Sequence, residues 1–265
     1  MFGIAHNTYR WIFARPRWQS FNTSILYMSL KGLGILNYQN ESVSGEKYLI
    51  EKFLPGVITK KEPVFFDVGA NIGDYTASLL KSFPKAKIYA FEPHPQNFSA
   101  LQANVPLNQV KCYNLAVGET RGKLELYDRA DRDGSSHASL HKAVISDIHK
   151  QGIVTLPVSV ETLDEFCAEQ GITEIDFLKI DTEGNELSVL LGAKDLLKNR
   201  KIKYISFEFN EMNVVSRVFL RDFKNLLLDF DLYRLLPNNL LPLDTSPLLT
   251  ELFAYQNLLA VPKSI

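Results

Sequence analysis

This sequence is poor in several things, and each shortage removes a class of protein. It has two cysteines in 265 residues, Cys112 and Cys167. That is too few for a disulfide framework, and the two are not spaced as a metal-binding pair. Both read as ordinary buried thiols in a reducing compartment. No apolar run reaches the roughly 18 residues of a membrane-spanning helix. The N-terminus lacks a charged, then apolar, then small-residue signal pattern, so a cytoplasmic location is the expectation. Net charge is nearly absent: 29 basic and 30 acidic residues leave −1. Whole-chain electrostatics therefore gives no case for nucleic-acid binding. There is no internal repeat and no low-complexity tract.

One shortage is local. Residues 1–40 contain no Asp or Glu, but carry Arg10, Arg15, Arg17 and Lys31, together with Tyr9, Trp11, Phe13, Trp18 and Phe21. Two readings stay open. The segment is an N-terminal helix that packs its aromatics onto the domain, or a basic-aromatic arm that lies on a membrane surface or meets a lipid-linked glycan. Pro16 interrupts any long amphipathic helix.

What is present is an ordinary soluble composition, 46% hydrophobic and 22% charged, of a length that suits one large α/β domain with a small extension. Residues 1–62 read as a helical extension packed on the core. From Pro63 to residue 265 the pattern is that of one α/β domain. Apolar, β-rich runs fall at 64–68, 87–92, 110–117, 175–181 and 203–209. Helix-like stretches at 72–83, 95–104, 162–170 and 185–199 lie between several of them, which predicts βαβ units and a parallel sheet. Thr162 and Glu165 have capping-box spacing. Residues 123–160 break the alternation: 123–128 and 153–160 read as strands flanking a polar loop at 128–142, and an insertion of this kind suits a lid or a substrate-facing edge, while the 129–150 loop matches no known pattern. A helix at 216–230, a strand at 231–236, a Pro-rich turn and a last strand at 253–261 complete the chain.

The chemistry concentrates in "FFDVGANIGDYT", residues 65–76. Gly69 and Gly73 allow a sharp turn and close ligand approach after a strand that ends near Asp67. The following helix offers free N–H groups. A dinucleotide fingerprint would read GxGxxG, but here Asn71 replaces its second glycine. Asp67 would repel a pyrophosphate and welcome a cationic α-amino group. Ala70 and Asp74 belong to the same turn. In "IYAFEPHPQNF", Glu92 ends the next strand, where a carboxylate takes both hydroxyls of a ribose, and Pro93 shapes the loop after it. An amino-acid head plus a ribose describes S-adenosylmethionine. Asn114 and Ala116 would then flank the adenine.

A second constellation is "IDFLKIDTEGNELSVLLGA", residues 175–193, followed by "ISFEF". A buried strand delivers Asp181 to its carboxyl end, where ligands lie in open α/β sheets. Glu183 follows it. Glu186 reads as helix N-terminal decoration. Lys179 shares a face with Asp181, and Glu208 is costly inside a buried strand unless paired, so a Lys179–Glu208 ion pair is the expectation, either purely structural or seated under the reaction centre as part of the catalytic set with Asp181 and Glu183.

Together "FFDVGANIGDYT", "FEPHPQNFSAL", "LDEFC", "IDFLKIDTEGNELSVLLGA" and "ISFEFNE", with the approach "SGEKYLIEKFL", resemble the FkbM-type family of S-adenosylmethionine-dependent methyltransferases. The resemblance covers about residues 44 to 210. It implies a Rossmann-like class I sheet of seven strands, the last antiparallel, with helices on both faces. It also implies methyl transfer to a hydroxyl of a sugar or natural product. The family's cofactor loop falls on Asp67, Gly69, Asn71 and Gly73, its ribose acid on Glu92, and its acidic motif on Asp181, Glu183 and Glu186.

An alcohol is a poor nucleophile at neutral pH, so Asp181 or Glu183 is expected to accept its proton, or to hold Mg²⁺ or Ca²⁺ that acidifies it. His94, His137 and His141 are alternative bases. Two rival readings remain: an NAD-dependent or nucleotide-sugar oxidoreductase on a similar fold, and a cofactor-binding partner protein without catalysis.

Overall fold

The computed structural model describes residues 2–129, 138–148 and 152–263. An eight-stranded sheet organises the chain, and its parallel part reads β3-β2-β1-β7-β8. Here β1 is Val64–Val68, β2 Lys87–Phe91, β3 Val110–Tyr113, β7 Ile175–Ile180 and β8 Ile202–Phe209. The last strand, β11 (Gln256–Pro262), inserts antiparallel between β8 and β9 (Phe230–Leu236). These are the seven strands the sequence predicts. The eighth, β10 (Asn239–Pro242), is the Pro-rich turn region. Pro237 and Asn238 form a two-residue connection that folds it back onto β9 as an edge hairpin. A proline at the end of an edge strand leaves no interior ladder donor missing.

The helices follow from the expected periodicity, with differences at close approaches. α3 (Asp74–Ser82) lies on the β1–β2 crossover and α4 (Pro95–Asn104) on the β2–β3 crossover, preceded in the chain by α1 (Phe2–Phe13) and α2 (Gln19–Gly32). Then α5 (Leu163–Gln170) starts at Thr162, whose hydroxyl accepts the Glu165 N–H at 3.1 Å, and stops at Gly171 in the left-handed region. The predicted helix over 185–199 is two, α6 (Glu186–Leu191) and α7 (Lys194–Lys198). They separate at Gly192, which lies so close to Gly118 that a Cβ there would stand 2.0 Å from the Gly118 carbonyl oxygen. The helix predicted over 216–230 contracts to α8, Leu220–Leu226.

The predicted strand over 110–117 also divides. After β3 the chain leaves the main sheet, and β4 (Ala116–Val117) pairs with β6 (Ile153–Glu161). β6 also pairs antiparallel with β5 (Gly122–Arg129), so the insertion carries its own three-stranded sheet.

Strand alternation divides the core between the two faces of the main sheet. Phe66, Val68, Leu178 and Phe207 pack with α5 to α8. Phe65, Phe177 and Leu259 pack with Leu79 of α3, Leu101 of α4, and Leu49, Ile50 and Leu54 from the helical turns before β1. The lead-in therefore divides too. Residues 41–57 bury apolar side chains, whereas residues 6–33 contain no buried residue. Instead, Phe13 rings with Tyr9, Trp18 and Phe21 at centroid distances of 4.8–5.2 Å.

Candidate active site

β1 is flanked by β2 on one side and β7 on the other, so the strand order reverses there and the carboxyl ends open a crevice. A cavity of about 530 Å³ occupies it.

The turn after β1 makes one wall. Gly69 has φ +81°, and a Cβ on it would stand 1.7 Å from the Asp181 carbonyl oxygen, so only glycine fits. The N–H groups of Gly69 and Ala70 both donate to the Phe91 carbonyl at 3.0 Å, which ties the turn to β2. Asn71 takes φ +49°, a conformation asparagine tolerates. Its N–H donates to Glu92 Oε2 at 2.8 Å, while the His94 N–H donates to Oε1 at 2.8 Å. The Glu92 carboxyl is thus held rigidly at the cavity wall. Burial pushes its pKa up to about 7, against the pull of those two amides.

The predicted donor-side residues separate into two groups. Gly69, Asn71, Glu92, Pro93 and Ala116 line the cavity; Asp67, Ala70, Gly73, Asp74 and Asn114 do not. Asp67 is fully buried behind the turn, where Oδ2 accepts the Thr76 hydroxyl at 2.5 Å and Oδ1 has no hydrogen-bond partner among the described residues. Ala70 is core. Gly73, at φ +95°, packs α3 against Leu101 and Val105, where a Cβ would stand 2.9–3.0 Å from their side chains. Asp74 is exposed in the first turn of α3. Asn114 donates to the Glu92 and Pro93 carbonyls at 2.9 Å and so braces the turn that carries Glu92, while its neighbour Leu115 reaches the cavity.

The opposite wall holds Asp181, Glu183 and Glu208. Glu186, which the sequence reads as helix N-terminal decoration, does not line the cavity. Its Oε1 accepts the N–H groups of Thr182 and Gly184 and the Thr182 hydroxyl, which fixes the loop with Glu183 at φ +55° and Gly184 at φ +102°. The expected Lys179–Glu208 pair is replaced. Lys179 donates to Asp181 Oδ2 at 2.9 Å and lies 4.7 Å from the Tyr75 ring centroid. Its strand neighbour across the ladder is Asp67. Asp181 lies just past the end of β7, whereas the β8 residue opposite Lys179 is Ser206, and Glu208, two residues on, instead accepts from Asn210 Nδ2 at 2.5 Å. Burial disfavours the Lys179 ammonium, but Asp181, Asp67 and Glu46 outweigh it and raise its pKa. Burial, then the Asp181 charge, pushes Glu183 and Glu208 well above the usual carboxylate range.

Among the described residues no group of three or more His, Cys, Asp or Glu is placed to hold a metal ion. His94 is buried away from the cavity. Its Nδ1 accepts the Gln96 N–H at the start of α4, which leaves the proton on Nε2, 3.3 Å from Asp128. His137 lies outside the described residues. His141 is half-buried beside Gly184, and burial lowers its pKa. Around it the described edge of the insertion does reach the site. Leu126, Ala138 and Leu140 line the cavity, and the Ser139 hydroxyl donates to the Glu183 carbonyl at 2.7 Å.

Several cavity residues have no sequence signal of their own. Glu46 enters from the lead-in, held by the Ser44 hydroxyl at 2.9 Å, and only the "SGEKYLIEKFL" stretch points to it. Leu36, Tyr38 and Tyr255 meet where the Leu36 N–H donates to the Tyr255 carbonyl at 2.8 Å.

The chain is 27% identical over 200 residues to the 2-O-methyltransferase NoeI of Sinorhizobium fredii, covering 71% of this chain and 80% of that protein. It is 32% identical over 163 residues to the 31-O-demethyl-FK506 methyltransferase FkbM of Streptomyces tacrolimicus, covering 53% of this chain and 63% of that one, so it spans less than two thirds of that relative. The crystal structure of methyltransferase FkbM from Methylobacillus flagellatus superposes with a TM-score of 0.48 at 17% identity, over 80% of this chain and 47% of that one. The Methyltransferase FkbM domain matches residues 67–227, more than half of the sequence. The chain therefore belongs to the FkbM methyltransferase family and is a methyltransferase.

Proposed function

We propose that this protein transfers a methyl group from S-adenosylmethionine to a hydroxyl oxygen of a sugar or natural-product acceptor. The observation that carries the reading is a single cavity with two unlike walls. One is a glycine turn with a rigid acid, Glu92; the other is a set of carboxylates at the ends of β7 and β8. The donor fits the residues present. The Glu92 oxygens are held by two backbone amides and still have lone pairs for a ribose diol. Gly69 lets the backbone itself form the wall. When bound, S-adenosylmethionine supplies a methyl group on a positively charged sulfur.

The chain's own part is positioning and proton removal. Asp181 is placed to accept the acceptor's hydroxyl proton. Lys179 holds Oδ2, and its other oxygen has no donor among the described residues. As the oxygen–carbon bond forms and the carbon–sulfur bond breaks, the proton passes to that carboxylate. Burial and the neighbouring Asp181 charge favour the protonated forms of Glu183 and Glu208, and in that form each can donate a hydrogen bond to another acceptor oxygen. The relatives' names support an oxygen acceptor: one is a 2-O-methyltransferase, and another, from Haloferax volcanii, is a hexuronic acid methyltransferase. Calorimetric titration with S-adenosylhomocysteine and, separately, NAD⁺ tests the reading. Micromolar binding of the first alone, about −8 kcal/mol, is expected. Binding of NAD⁺ alone would overturn it in favour of an oxidoreductase.

A further inference from the structure

The N-terminal arm is the part of the chain that the methyl-transfer reading does not use. Residues 6–33 form most of a helical pair without one buried residue. Trp11 is 74% exposed, Met28 65%, Leu26 56% and Tyr27 53%. These apolar groups are accompanied by Arg10, Arg15, Arg17 and Lys31, and by no carboxylate before Glu41. Arg15 lies over the Trp11 ring at 5.6 Å and Arg17 over Trp18 at 5.8 Å. Each guanidinium is thus carried beside an aromatic.

We infer that this arm docks on an anionic lipid bilayer surface. Interfacial helices combine cations with Trp, Phe and Leu in this way, the rings sinking to headgroup level while the cations meet lipid phosphates. The arm can lie on a bilayer but not cross it. No helix among the described residues is long and apolar enough to span, and 14 residues of α2 reach about 21 Å against a hydrocarbon core of about 30 Å. A second copy of the chain is a poorer occupant, because isologous pairing would bring two arms of charge +4 together with no acid in either to offset them. The arm is also tied to the active site. Immediately after it, Ile35 bridges Gln256, and Leu36 and Tyr38 line the cavity. Docking therefore sets the acceptor side of the cavity close to the membrane surface.

The test is co-sedimentation of the full chain with phosphatidylcholine vesicles and with vesicles in which about a third of the lipid is phosphatidylglycerol. Binding about tenfold or more tighter to the anionic vesicles, weakening as salt rises, is expected. The triple variant Trp11→Ser, Leu26→Ser, Met28→Ser should lose it while keeping the melting temperature and the S-adenosylhomocysteine affinity, since none of the three is buried. An Arg15→Gln, Arg17→Gln variant should bind more weakly and with a shallower salt dependence. Three results overturn the inference: no vesicle binding, equal binding to both lipids, or a dimer of the native chain that the triple variant dissociates without any vesicle binding by either.

Discussion

On the side of the cavity we assign to the donor the contacts come mainly from short stretches that follow consecutive strands: the turn after β1, then Glu92 and Pro93 after β2. On the side we assign to the acceptor they come from segments as far apart as Leu36, Glu46, Leu140, Asp181, Glu208 and Tyr255. The donor wall is largely backbone, and its specificity lies in where a side chain is absent. The acceptor wall is side chains, and its specificity lies in charges that shift one another. A turn of glycines can be reused for one invariant donor. A wall assembled from an extension, an insertion and a last strand can change with the acceptor without touching that turn.

The sharpest way to break the donor end is Gly69→Ala. A methyl group 1.7 Å from the Asp181 carbonyl at φ +81° cannot be absorbed by a flexible side chain, because the obstacle is backbone. A loss of more than about 3 kcal/mol is expected in urea denaturation, with loss of S-adenosylhomocysteine binding. Since that carbonyl belongs to Asp181, the change should damage both ends together.

Asp181→Asn should separate them. Turnover with an acceptor found by screening is expected to fall about 10²- to 10⁴-fold, while S-adenosylhomocysteine affinity stays within about threefold. Native turnover would remove Asp181 as the base.

A smaller effect is set by pH at Glu92. The carboxylate form is the one that accepts from a ribose diol, so donor affinity should rise with pH up to about 7 and then level off, by as much as about tenfold per unit on the rising side. Without donor the sign reverses for stability. The folded chain keeps a proton that the unfolded chain releases near 4.5, so stability falls as pH rises from there through about 7. Glu92→Gln should flatten both profiles, read by calorimetry and by thermal melts.

The mildest change is Tyr255→Phe. It removes a hydroxyl that accepts from Asn257 Nδ2 at 3.1 Å beside the acceptor wall. A rise of about two- to fivefold in acceptor KM with unchanged donor affinity is expected. An effect on donor affinity instead would mean that the two ends are not separate.

The sequence by itself determined the alternation of strands and helices, the donor turn and the strand-end acids, because these are local. Strands of period two bury "VFFDV" and "IDFLKI", and a turn needing φ > 0 shows as glycine or asparagine at 69, 71 and 73. Only the tertiary structure decided the rest. Asp67 and Asn114 carry ligand-like residue types, but Asp67 is turned behind the wall onto Thr76 of α3, and Asn114, just past β3, is used to brace the turn after β2. Lys179 pairs with Asp181 rather than Glu208 because strand register, which depends on the neighbouring strand, sets the shorter path. Glu46 and Tyr255 lie 209 positions apart in the sequence. They share one cavity because the lead-in packs on the face of the sheet into which β11 inserts, and no local pattern encodes a meeting between such distant segments.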